Sequence, residues 1–283
     1  MKTKIVISPT DEACGAEVTG IDISKTLSQA EVQEIRRAWL EYHVLTFSNQ
    51  FLDKEQFERF SLYFGEFGDD SFFGHVSGSD HIAAVVREAD DTSPIFAEVW
   101  HTDWSFQENP PAATFLYSLD IPPVGGDTLF ANQHLALAEM PDQLRAKFDG
   151  KIAIHSAKFG YAPKTGTYAT KEGMGSMDIR PSDIAYKQQS HPLIRNHPET
   201  GRPGIFGAPY AYIAGFEGMT EEESKPLLKE LIKWQSQDQF VYRHKWKKNM
   251  LVMWDNRSVL HHATGGYEAV SYTHLTLPPI YSV

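Results

Sequence analysis

Residues 250–263 read Met-Leu-Val-Met-Trp-Asp-Asn-Arg-Ser-Val-Leu-His-His-Ala, and this stretch says most about the fold. Its first five residues, Met250 to Trp254, are β-prone and bounded by turn residues, the mark of a short strand. A polar cluster follows, and a second apolar run delivers two adjacent histidines. Side chains alternate along a strand, so His261 and His262 are expected to face opposite ways.

The same strand character recurs at Val44-Leu45-Thr46-Phe47, Ile82-Ala83-Ala84-Val85-Val86, Ala113-Thr114-Phe115-Leu116-Tyr117 and Lys151-Ile152-Ala153-Ile154. Three other segments have helical spacing. Ser28 and Glu31 stand as a capping box before Val32, Ile35, Trp39 and Tyr42; Asp53 and Gln56 do so before Phe57, Phe60 and Phe64, with Gly65 as the expected stop. Thr220 and Glu223 open the third, which carries Leu227, Leu228, Leu231 and Ile232 inward, and Pro226 predicts an irregular first turn. Strands spread along the chain, with helices at its start and near its end, predict a mainly β protein with flanking helices. The expected architecture is a double-stranded β-helix, that is, a cupin-like jelly roll with a helical buttress. No repeat, low-complexity block or long linker divides the chain. Residues 158–189 lack periodic hydrophobics, a composition that active-site lids and plain surface excursions share.

At 283 residues and 41% hydrophobic content the chain can bury a substantial core, and 12% aromatics suit a sheet-rich interior. The N-terminus, Met-Lys-Thr-Lys-Ile-Val-Ile, has no leader pattern and no apolar run spans a bilayer, so a soluble, cytoplasmic protein is expected. A formal charge of −11 argues against a general nucleic-acid or anionic-membrane surface, while one local pocket can still take a small anion. Cys14 is the single cysteine, which excludes an intramolecular disulfide and any cysteine-based cluster. A metal must therefore use His, Asp or Glu.

Trp100-His101-Thr102-Asp103-Trp104 places a histidine and an aspartate two residues apart, on one face if the segment is extended. Alone, such a pair is more often a histidine hydrogen-bonded to a nearby carboxylate. A histidine from the 254–263 cluster would complete two imidazoles and a carboxylate on one face of an iron, leaving positions for a bidentate co-substrate and oxygen. Three ligands could equally serve a zinc or manganese hydrolase on a cupin-like barrel.

Three motifs in order, Trp-His-Thr-Asp at 100–103, Gly-Gly-Asp-Thr at 125–128 and Trp-Asp-Asn-Arg at 254–257 followed by His261 and Ala263, resemble the taurine dioxygenase and 2,4-dichlorophenoxyacetate dioxygenase family. Gly15-Ala16-Glu17-Val18-Thr19-Gly20-Ile21-Asp22, Phe64-Gly65-Glu66 and His191-Pro192-Leu193-Ile194-Arg195-Asn196-His197-Pro198 extend the likeness, which reaches to Tyr267. The resemblance implies that His101, Asp103 and His261 bind iron(II) and that Thr128 holds the distal carboxylate of 2-oxoglutarate. It implies hydroxylation of a small organic molecule by dioxygen, with 2-oxoglutarate decarboxylated to succinate. His262 is offset by one from the family position and is read as a supporting group. Asp127 and Arg257 are read as holding loops and strands, and His43, His134, His155 and His244 as ordinary buried or surface residues.

The chain also departs from the family. The arginines expected after the distal histidine are replaced by Tyr272 and Thr276. From about Ala269 the likeness ends; Val270-Ser271-Tyr272-Thr273-His274-Leu275 resembles the translation of a transposase adapter used in sequencing libraries. The expected organisation is a dioxygenase domain over 1–269, lacking its closing strand, with a foreign tail over 270–283. A catalytically impaired binding protein is then an alternative to an active enzyme. On the substrate side, the family's sulfonate-recognising positions correspond to Asp70 and Ala97, with His75 and Trp104 as further candidates; an acid there disfavours an anion. Substrate identity is open, and a homo-oligomer is neither implied nor excluded.

Overall fold

The three helices begin where the side-chain chemistry says they should. In the computed structural model, which describes residues 4–266, 272–276 and 280–281, helix Gln29–Tyr42 follows Ser28, whose hydroxyl accepts the Glu31 N–H while the Glu31 carboxylate accepts from Ser28 N–H. Asp53 and Gln56 exchange the same bonds ahead of helix Lys54–Ser61, as do Thr220 and Glu223 ahead of helix Glu221–Gln235. Each box satisfies two backbone donors that a helix start otherwise leaves open. Two expectations shift. Helix Lys54–Ser61 ends before Gly65, and Gly65 serves another purpose: a Cβ there would collide with the Tyr281 carbonyl oxygen. Helix Glu221–Gln235 runs through Pro226 without a break, because the one carbonyl that loses its partner lies on the exposed first turn.

Among the described residues the main sheet has nine strands. Its path runs Val6–Pro9, Ala16–Thr19, Val44–Phe47, Leu251–Asp255, Ala113–Asp120, Tyr272–Thr276 and Ala83–Arg87, with Glu66–Phe67 and Ile280–Tyr281 to the side. All its pairings are antiparallel except Ala16–Thr19 against Val44–Phe47. A second layer pairs Thr128–Asn132 with Val241–His244 on one side and Val259–Ala263 on the other. Leu251–Asp255 explains the unbroken apolar run: Leu251 and Met253 pack with Trp39, Phe57 and Phe60 of the helices, while Val252 and Trp254 pack with Phe130, Tyr242 and Val259 of the second layer. A strand covered on both faces shows no polar alternation. A third group of strands, Ile152–His155 with Gln189–Pro192 and Ile213–Phe216, packs under helix Glu221–Gln235 through Ala153, Phe216, Leu228 and Leu231.

The closing strand expected to be missing is present. Tyr272–Thr276 pairs with both Ala83–Arg87 and Ala113–Asp120, and Ile280 is fully buried in the main core. Ladder bonds come from the backbone, so any extended segment of Tyr, Thr and Leu can fill the slot whatever its resemblance to a family. Residues 158–189 form two single-turn helices and a short 3-10 helix, and pack Tyr161, Met177 and Ile179 against Phe72, Phe73 and Trp104. Among the described residues no helix is long and apolar enough to cross a membrane.

Candidate metal centre

His101 and His261 meet as directly opposed residues of two strands: each backbone N–H donates to the other's carbonyl, at 3.0 and 2.7 Å. Their rings lie 3.9 Å apart, centroid to centroid. Asp103 does not arrive by strand alternation, as the spacing alone suggested. The chain leaves the His101 bridge, and Asp103 opens a turn in which the next residue, Trp104, takes the left-handed region at φ 47°. One ligand atom from each of His101, Asp103 and His261 lies within 4.8 Å of the others. Asp103 Oδ1 stands 3.5 Å from His101 Nε2 and 3.6 Å from His261 Nε2, too far for good hydrogen bonds and suited to atoms that share an ion.

The surroundings prepare each ligand. His101 Nδ1 lies 2.7 Å from the Val99 carbonyl, which places the proton on Nδ1 and leaves the Nε2 lone pair facing inward. Asp103 Oδ2 accepts the Thr114 hydroxyl at 2.6 Å, and Thr114 Oγ1 in turn accepts from Asn256 Nδ2 at 2.8 Å. Asn256 also receives Trp254 Nε1 on its side-chain oxygen and the Thr102 hydroxyl on its backbone carbonyl. The ligand-bearing turn is thus tied to the strand that ends at Asp255. Burial pushes His261 down to about 3, aided by repulsion from His101. Burial alone would raise Asp103, but the neighbouring imidazoles, His261 foremost, and the Thr114 hydroxyl hold it down to about 2. A neutral His261 imidazole and an ionised Asp103 carboxylate are the states in which such side chains ligate a divalent first-row metal.

The triad forms part of the wall of a cavity that is also lined by Thr128, Trp246, His274 and Thr276. Thr128 is buried and its Oγ1 accepts from Trp246 Nε1 at 3.0 Å, so its own proton is left to donate elsewhere. Asp70, Ala97 and Trp104 line the same cavity; His75 is exposed and does not. No Lys or Arg is among the described lining residues. His262 turns away, its ring 5.3 Å from that of Trp100. Asp127 accepts from Arg243, and Arg257 pairs with Asp255 and Glu199 while lying over Trp39. His43, His134, His155 and His244 are buried outside the triad. Sequence reasoning did not single out Asn256, Thr114, Trp246, Tyr161 or Tyr212. Their roles come from neighbours distant in the chain.

A two-histidine, one-carboxylate centre set between two β-layers defines a metalloenzyme with one open face. The chain belongs to the taurine catabolism dioxygenase TauD, TfdA family, whose model matches residues 7–276. It is 31% identical over 275 residues, 91% of either chain, to an alpha-ketoglutarate-dependent 2,4-dichlorophenoxyacetate dioxygenase of Cupriavidus pinatubonensis. A crystal structure of a taurine dioxygenase from Burkholderia xenovorans matches with a TM-score of 0.76 at 29% identity, covering 99% of this chain and 92% of that one. A crystal structure of AAD-2 in complex with Mn(II) and N-oxalylglycine matches with a TM-score of 0.79 at 25% identity, covering 99% of each. The protein is an alpha-ketoglutarate (2-oxoglutarate)-dependent dioxygenase acting on a small organic molecule, which sets the hydrolase alternative aside.

Proposed function

We propose that the chain is an iron(II) enzyme in which His101, Asp103 and His261 hold the metal on a double-stranded β-helix, and Thr128 receives the distal carboxylate of 2-oxoglutarate. The observation that carries this reading is the convergence of three candidate ligand atoms within 4.8 Å at the wall of a cavity. Iron(II) with bound 2-oxoglutarate supplies the activation of dioxygen, with release of succinate and carbon dioxide and oxidation of a substrate C–H bond. The chain's own residues supply placement. His101 presents Nε2 because Val99 fixes its Nδ1 proton, and Asp103 keeps one oxygen for the metal because Thr114 occupies the other. Thr128, with Trp246 on its oxygen, donates its hydroxyl proton toward the cavity. Phe73, Trp104, Tyr161 and Tyr212 line the cavity with aromatic rings.

The test is spectroscopic. Anaerobic addition of iron(II) and 2-oxoglutarate is expected to give a weak visible charge-transfer band. His101→Ala, Asp103→Ala and His261→Ala should each abolish it, and His262→Ala should retain it. A band lost with His262→Ala and kept with His261→Ala would show that the ligand assignment is displaced by one residue.

A further inference from the structure

The substrate side of the cavity combines one carboxylate with a wall of aromatic rings. Asp70 is half-buried at the start of a turn, where Oδ1 accepts the backbone N–H groups of Phe72 at 3.0 Å and Phe73 at 3.2 Å. Both bonds fix the carboxylate's direction. Around it, Phe73 stacks on Trp104 at 5.6 Å, and Tyr161 meets Phe73 at 6.0 Å and Trp104 at 5.7 Å, edge to face. All four residues line the cavity that holds the metal triad.

Charge within the cavity runs one way. Asp70 and Asp103 are its carboxylates, and among the described residues no Lys or Arg lines it. The adjoining cavity, which shares Phe96, Ala97, His101, Tyr161 and Tyr212 with it, adds Glu98 and again no Lys or Arg. A divalent metal, the Asp103 carboxylate and a dianionic keto acid sum to one net negative charge, and Asp70 adds another. A carboxylate or sulfonate on the substrate would meet this field with no Lys or Arg among the described lining residues to balance it. A cation would meet a fixed carboxylate and the electron-rich faces of aromatic rings, the combination that recognises ammonium groups.

We propose that the substrate is an organic ammonium compound, its charged nitrogen seated between Asp70 and the rings of Phe73, Trp104 and Tyr161, with its body directed toward the metal. This rests on the metal and 2-oxoglutarate reading given above. Burial raises the Asp70 carboxyl, and the Phe72 and Phe73 N–H groups oppose that shift. An ammonium group beside it would hold it ionised.

The test uses three probes of similar size: 2-phenylethylamine, 3-phenyl-1-propanol and 3-phenylpropionate. Each is titrated into the anaerobic iron(II)·2-oxoglutarate protein while the charge-transfer band is followed, and into the protein alone by calorimetry. The amine is expected to bind at least tenfold tighter than the carboxylate. Asp70→Asn keeps an acceptor for the two backbone N–H groups and removes the charge, so it should erase most of that preference. An equal or reversed preference in the parent protein, or a preference untouched by Asp70→Asn, would overturn the proposal. Band formation without probe reports on the metal reading separately. If no band forms, that reading falls, and the calorimetric ranking still decides whether the cavity selects cations.

Discussion

Asn256 holds more of the metal site together than any other residue that is not itself a ligand. Its side chain links Trp254 and Thr114, and its backbone carbonyl accepts from Thr102, so it joins the strand ending at Asp255 to the turn carrying Asp103. Asn256→Ala is expected to weaken iron(II) binding about 10- to 100-fold while the fold is retained, read as a shifted metal titration with unchanged far-ultraviolet circular dichroism. At the substrate end, taurine is expected to be turned over poorly, because its sulfonate finds Asp70 and Ala97 where it needs donors. Sulfite release at a rate comparable with the best amine substrate would contradict this. At this scale the triad was legible, since His-x-Asp and a distant histidine within a longer motif are spacings that metal chemistry demands. Asn256 was not, because nothing in an Asp-Asn-Arg turn says which far residue its amide will meet.

Among the elements, helices were the easier reading. A capping box is settled by residues three apart, so Ser28 with Glu31, Asp53 with Gln56 and Thr220 with Glu223 placed three starts correctly. The strands Thr128–Asn132 and Val241–His244 escaped notice because their surroundings, not their composition, make them strands. The strand Tyr272–Thr276 is the sharpest case: its motif residues depart from the family pattern, yet the backbone fills the sheet and the family model matches as far as residue 276. Deleting residues 270–283 would open the sheet between Ala83–Arg87 and Ala113–Asp120 and remove buried Ile280 from the core. A lower melting temperature and concentration-dependent aggregation are expected on light scattering. Filling a strand is not the same as supplying its chemistry. Tyr272→Arg should tighten 2-oxoglutarate binding about tenfold or more in anaerobic titration, as a charge-assisted bond to the distal carboxylate would. No change would mean that Thr128 and its neighbours already suffice.

Over the whole molecule, buried polar groups set the response to acid. Burial holds His43, His155 and His244 at about 3, well below the unfolded value near 6.5. Because the folded pKa is the lower one, their stability is fully present above about pH 6.5 and is lost as pH falls from there toward 3. Each histidine that stays neutral adds a slope of up to about 1.4 kcal/mol per pH unit in that window. Urea midpoints of the metal-free protein should fall steadily between pH 7 and pH 5; a flat profile would mean these side chains gain solvent without unfolding. Asp255 couples distant parts of the chain in a different way. It is buried, held far below the usual carboxylate range against the cost of burial by Arg257 and His197, and joined through Arg257 to Glu199. Removing it takes two acceptor oxygens from the buried Arg257 guanidinium and the carboxylate from His197, so Asp255→Ala is expected to cost about 3–5 kcal/mol in urea unfolding.

What the sequence determined by itself is whatever depends on neighbours along the chain: the helix starts, the apolar run at 250–254, and three candidate ligands whose motif spacing leaves little freedom. What only the tertiary structure decided depends on chains meeting across space. It brought Asp103 against His101 and His261, left His75 off the cavity wall, and placed Asp70 among aromatic rings. The reason is physical. Backbone preferences and caps are satisfied within a few residues, whereas a cavity's charge is the sum over side chains that share no local sequence.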